Sequence, residues 1–225
     1  MIGSLDVYRQ CEVRDTLTVV LSVLTLASAS LSIRAECRGP RYQVYIFKPL
    51  TTFLILLIAV HATGPAAPLY KYAIVAGLVC SLAGDVFLML PGDRFAAGLA
   101  CFLLVHLCYI AAFWSCASPS FTIWWAAPFL VHAIIMSRAL LPHLGKMKWP
   151  VLMYELVIVT MAWRAAARWA ALKETTALLA VVGAVLFLIS DSALAINRFI
   201  SKYRGAQALI LGSYFCAQWL IAMSV

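Results

Sequence analysis

Eight apolar runs of about 20 residues, joined by connections of only a few residues, leave this chain little freedom of architecture. They fall near 16–35, 44–63, 70–90, 95–115, 121–140, 150–170, 176–196 and 206–225. A helix rising about 1.5 Å per residue crosses the roughly 30 Å of bilayer hydrocarbon in a run of that length. Lipid offers no partner to backbone N–H and C=O groups, so such runs satisfy them internally as helices. A composition of 64% hydrophobic and 12% charged residues, with mean hydropathy +0.96, excludes a water-soluble domain. The expected fold is all-α: one polytopic transmembrane bundle over residues 1–225, with no loop long enough to carry a second domain.

Residues 1–15, MIGSLDVYRQCEVRD, are polar and mixed in charge, so no cleavable signal peptide is expected and the first span would direct insertion. The seven cysteines, Cys11, Cys37, Cys80, Cys101, Cys108, Cys116 and Cys216, form no CxxC pair and mostly lie within spans, where cysteine acts as a small apolar residue. The net charge of +8 is spread over short loops, which favours membrane topology over nucleic-acid binding, and no nucleic-acid partner is expected. Eleven of the seventeen basic residues fall on the side that holds the loops after spans one, three, five and seven, among them Lys48, Arg94, Arg198 and Lys202. By the positive-inside rule that side is expected in the cytoplasm, with both termini opposite.

The halves of the chain echo one another. Pro150 follows Pro49 by 101 residues, Asp191 follows Asp85 by 106 and Arg198 follows Arg94 by 104, as a parallel four-plus-four internal repeat would space them.

Asp85 and Asp191 lie inside spans three and seven, and a carboxylate there costs about 2.5–3.5 kcal/mol on insertion scales. Lys48, Asp85, Glu155 and Asp191 are expected within roughly 10 Å of the more basic side, with His106, Tyr109, Tyr214 and Gln218 deeper. These groups are expected to converge on one polar cavity with an apolar floor, open to the basic face, suited to an amphiphile entering head-first. Ser81 shares the face of Asp85, Ser190 adjoins Asp191, and Gly84 would let a neighbouring helix approach closely. His61, His132 and His143 are dispersed, without the HxxxH or HExxH spacing of a metal site on one helix, and no metal or cofactor is expected. No GxSxG elbow, Walker loop or dinucleotide fingerprint occurs, which leaves carboxylate chemistry. Two carboxyl groups in different surroundings can divide acid and base roles.

FKPLTT at 47–52, GDVFLMLP at 84–91, the pattern F-x2-GL-x2-CF-x3-H-x2-Y from Phe95 to Tyr109, LFLISDSALAINRF at 186–199 and LGSYFCAQWLIA at 211–222 together resemble the lysoplasmalogenase or YhhN family of eight-span membrane proteins. The resemblance covers most of the chain from residue 40 onward; the first span and the 163–174 loop carry less of it. It implies hydrolysis of the sn-1 vinyl ether of an alkenyl lysophospholipid, giving a fatty aldehyde and glycerophosphoethanolamine or glycerophosphocholine. In a bacterium the host would be the cytoplasmic membrane. Asp85 and Asp191 would form the acid/base pair, and Lys48 or Arg198 would bind the phosphate. His106, Tyr109, Tyr214 and Gln218 would position water or the glycerol hydroxyl, with Glu155, Ser81 and Ser190 beside them. Two other classes use the same residues: a proton-coupled transporter or flippase of lipids or small solutes, and a scaffold in which the aspartates only join helices.

Overall fold

The computed structural model describes residues 2–63, 67–115 and 123–225, and among them shows eight long helices and no strand. They are α1 (Ile2–Arg38), α2 (Arg41–His61), α3 (Pro68–Met89), α4 (Phe95–Ser115), α5 (Ala127–Leu140), α6 (Lys148–Leu172), α7 (Thr175–Ala195) and α8 (Ala206–Met223). Each is long and apolar enough to cross a bilayer, α5 once the tight turns on either side are included (Trp124–His143). The protein is thus a polytopic helical bundle, as composition required.

Most boundaries lie within a few residues of the apolar windows; the expected start of span five at 121 lies outside the described residues. The exception is α1, which extends back to Ile2 instead of starting near 16. No glycine or proline interrupts residues 4–38, so the polar N-terminal stretch continues the helix until Gly39-Pro40 stops it. At the other end of the chain, α7 runs on into a wide π turn, Ile196–Ile200, which carries Asn197 and Arg198 towards the basic side.

Packing follows chain neighbours: α1 against α2, α3 against α4 and α7 against α8, with α8 also touching α1, α2 and α3. Glycines let several helices approach closely, Gly84 and Gly183 among them. A Cβ on Gly84 would lie 2.9 Å from the Phe102 ring, and one on Gly183 would lie 2.7 Å from Ile221 and 2.9 Å from the Ala217 carbonyl oxygen. The end of the bundle away from the basic loops is tied by the Tyr70 hydroxyl, 2.6 Å from the Ser224 hydroxyl. Buried Arg164 and Arg168 stack there over the rings of Trp114 (4.2 Å) and Tyr70 (4.4 Å). Cys37, Cys80, Cys101, Cys108 and Cys216 are free thiols, while Cys116 and the side chain of Cys11 lie outside the described residues.

Candidate active site

A chamber of about 490 Å³ opens among the ends of α1, α3, α4, α7 and α8 on the side of the basic loops. Asp85 from α3 and Asp191 from α7 both line it, together with Lys48, Ser190, Arg198 and Tyr214. The expected convergence therefore holds for four of the eight residues placed in it, Lys48, Asp85, Asp191 and Tyr214. Arg94 and Lys202 add cations to its wall, and Glu36 and Asp93 add anions.

Asp85 is almost fully enclosed and is held by two helices besides its own, α2 and α8. The Thr52 hydroxyl of α2 donates to Oδ2 at 2.6 Å, and the Tyr214 hydroxyl of α8 donates to the same oxygen at 2.9 Å. Lys48 Nζ of α2 lies 3.6 Å from Oδ1. Lys48 and Thr52 are one turn apart on one face of α2, so the FKPLTT stretch delivers both to the same carboxylate. Its oxygens thus act as acceptors from every side.

Asp191 is set differently. The Tyr154 hydroxyl of α6 donates to Oδ2, and His106 Nε2 of α4 stands 3.8 Å from that oxygen. The side chain is 14% exposed against 1% for Asp85, so Asp191 is the more accessible of the two. His106 is fully buried, its ring edge-on to Tyr154 at 5.2 Å and to Phe187 at 4.8 Å.

His106, Tyr109, Gln218, Ser81 and Glu155 do not line the chamber. Tyr109 donates to Gln218 Oε1 at 2.5 Å, and Gln218 Nε2 donates to Ser81 at 2.6 Å, a buried chain that joins α4, α8 and α3 behind Asp85. Ser190 spends its hydroxyl on the Ile210 carbonyl at 2.9 Å, pinning α7 to α8. Glu155 faces His132 Nδ1 at 3.3 Å, and the other ring nitrogen of His132 lies 3.0 Å from the Ser192 hydroxyl, tying α5, α6 and α7 together. Arg198 pairs with Asp93 at the rim. Below, the chamber ends on Phe102, packed edge-on against Tyr214 (5.7 Å) and Phe187 (6.3 Å) above the fully buried Tyr109 and Phe113. Among the described residues, no three of His, Cys, Asp and Glu come together as metal ligands would.

Thr52 and Tyr154 were not singled out in the sequence. Thr52 carries a signal, its one-turn spacing from Lys48; Tyr154 sits in an apolar run beside Glu155 and carries none.

A model of the YhhN family matches residues 43–225. The membrane protein YhhN of Escherichia coli O157:H7 is 34% identical over 200 residues, covering 88% of this chain and 94% of that protein. Lysoplasmalogenase TMEM86B of Sus scrofa is 32% identical over 185 residues, covering 79% and 72% respectively. Lysoplasmalogenase TMEM86A of Bos taurus is 30% identical over 224 residues, covering 92% and 84%. No solved structure matches.

Proposed function

The chain belongs to the YhhN family, and from that premise we propose that it is a lysoplasmalogenase, hydrolysing the sn-1 vinyl ether of an alkenyl lysophospholipid to a fatty aldehyde and glycerophosphoethanolamine or glycerophosphocholine. The mammalian relatives named for this activity support the hydrolase reading. The observation that carries it is the meeting of Asp85 and Asp191, from separate helices, on one chamber whose wall also bears Lys48, Arg94, Arg198 and Lys202. A zwitterionic or anionic head group enters among those cations. With the basic loops in the cytoplasm, the substrate comes from the cytoplasmic leaflet.

The chemistry needs an acid, a negative group and a water. A carboxylic acid protonates the β-carbon of the enol ether, which leaves an oxocarbenium ion at the α-carbon. The second carboxylate stabilises that cation. Water adds to the α-carbon and gives its proton back to a carboxylate, and the hemiacetal collapses to aldehyde and free glycerol hydroxyl, so one water is consumed per bond broken. The division of labour parallels that of paired carboxylates in glycoside hydrolysis. Asp85 and Asp191 are the proposed pair; Tyr214 and Thr52 orient Asp85, and Tyr154 and His106 orient Asp191. Tyr109, Gln218 and Ser81 support the fold of that region instead of touching substrate. The packed aromatic floor gives the transport alternative less support, since a carrier must also open towards the other leaflet.

The test is aldehyde release from an alkenyl lysophospholipid by the purified protein in detergent, beside Asp85→Asn, Asp191→Asn and a saturated alkyl-ether control. Wild type should release aldehyde, the control should stay intact, and each variant should fall by about a hundredfold or more while remaining folded. Normal turnover in both variants would overturn the pair. No aldehyde from folded wild type across several head groups would move the reading to a flippase.

A further inference from the structure

Arg164 and Arg168 stand one turn apart on α6 and face the ends of α3 and α4, at the end of the bundle opposite the chamber. At 1.5 Å per residue they lie roughly 12 and 6 Å short of the end of α6 at Leu172, which places them close to one membrane interface. Both side chains are buried, 4% and 3% exposed. Trp114 lies over one guanidinium and Tyr70 over the other, so hydrogen bonding is left to the N–H groups at their edges. Among the described residues those edges meet too few acceptors. Nε and Nη2 of Arg164 and Nε and Nη1 of Arg168 have no hydrogen-bond partner, and neither side chain forms an ion pair with a carboxylate. Glu174, just past the end of α6, is exposed and bonded to Thr176.

We propose that Arg164 and Arg168 hold a phosphate group at this end of the bundle, supplied by a phospholipid head group of the leaflet opposite the chamber or by free phosphate. Two enclosed cations one turn apart repel each other and are costly without an anion to share. Nε and Nη2 of Arg164 are neighbouring donors on one edge, the fork that grips two oxygens of one anion. A phosphate has further oxygens to turn towards Arg168, and phosphates crowd the interface at that depth. The way in is short. Trp114, the ring over Arg164, is 51% exposed, so the fork lies one side chain from the outside of the bundle, and a head group beside that ring leaves its chains in lipid. The bound group ties α6 to the α3–α4 pair, far from Asp85 and Asp191, so the proposal is independent of the reaction in the chamber.

The test titrates delipidated protein in a non-ionic detergent with phosphatidylglycerol, with inorganic phosphate, and with diacylglycerol, which matches the lipid but lacks its phosphate, and follows the melting temperature. At least one of the first two should stabilise wild type as its concentration rises, and diacylglycerol should not. The arm that acts names the source: the lipid alone means a head group, and inorganic phosphate means a free anion. Arg164→Gln and Arg168→Gln should each weaken the active ligand by about tenfold or more. Arg164→Lys keeps the charge but loses the fork, and should weaken it nearly as much; it also decides the matter if a glutamine variant does not fold. Lys202→Gln, in the chamber wall, should keep the full shift, which separates this site from the chamber. Wild type unmoved by both phosphates, or an Arg164→Lys protein stabilised as strongly as wild type, would overturn the proposal.

Discussion

Lys48 on α2 lies 3.6 Å from the Asp85 carboxylate on α3, and only 11% of the lysine side chain is exposed. Removing one partner of an enclosed ion pair strands the other, at a cost of about 3–5 kcal/mol when the pair is fully buried, whereas removing both together costs much less. Lys48→Met should therefore destabilise the protein more than the Lys48→Met/Asp85→Asn double substitution. Thermal unfolding in detergent reads this directly. A double variant less stable than Lys48→Met would mean that the two side chains are not coupled.

Thr52 and Tyr214 donate to one oxygen of Asp85, so each holds the carboxylate in place from a different helix. A hydrogen bond to a charged group contributes about 1.5–3 kcal/mol. Thr52→Val and Tyr214→Phe should each lower kcat/KM by about tenfold or more, with KM changing less than kcat because neither is proposed to hold the head group. The pair of substitutions should lose less than the product of the two effects, since both act on the same oxygen. Steady-state aldehyde release checks it, and a silent Thr52→Val would show that Asp85 is positioned without the Thr52 hydroxyl.

Two tyrosines separate support from chemistry. Tyr154→Phe removes a donor from Asp191, whose carboxylate already meets the chamber and can take a water instead, so stability should change by less than about 1 kcal/mol while kcat falls. Tyr109→Phe leaves Gln218 Oε1 without its donor in a dry core, which costs about 1–3 kcal/mol, and activity per folded molecule should stay near wild type. Reversal of that pattern would exchange the roles assigned to them.

The reach of sequence reading follows from the same physics. Spans were legible because lipid forces each apolar run into a helix, so length alone fixes the element. The depth of Asp85 and Asp191 was legible for the same reason, since position along a span is position across the bilayer. What depth does not give is rotation about each helix axis. Tyr109 and Gln218 lie at the expected level but point to each other, and Arg198 turns to Asp93 on the strength of a π turn that no residue pattern announces. Tyr154 was missed because an aromatic in an apolar run reads as packing until its partner is seen. The N-terminal stretch was read as a polar lead-in on composition, whereas the absence of any breaker before Gly39 was the better guide.

Gly84 and Gly183 both bring helices into contact, but a methyl group would meet different obstacles at each. At Gly84 it meets the Phe102 ring at 2.9 Å, a side chain that can be shortened or turned. At Gly183 it also meets the Ala217 carbonyl oxygen at 2.9 Å, which belongs to the backbone of α8 and cannot move without the helix. Overpacking of this kind typically costs about 1–3 kcal/mol. Gly84→Ala should lie within that range, should disturb activity through the Phe102 floor of the chamber, and should be partly rescued by Phe102→Leu. Gly183→Ala should be the more destabilising of the two, and Ile221→Val should rescue it only weakly because the carbonyl clash remains. Melting temperatures of the four single variants and the two pairs decide the matter: equal rescue at both sites would mean that α7 and α8 separate as readily as Phe102 turns.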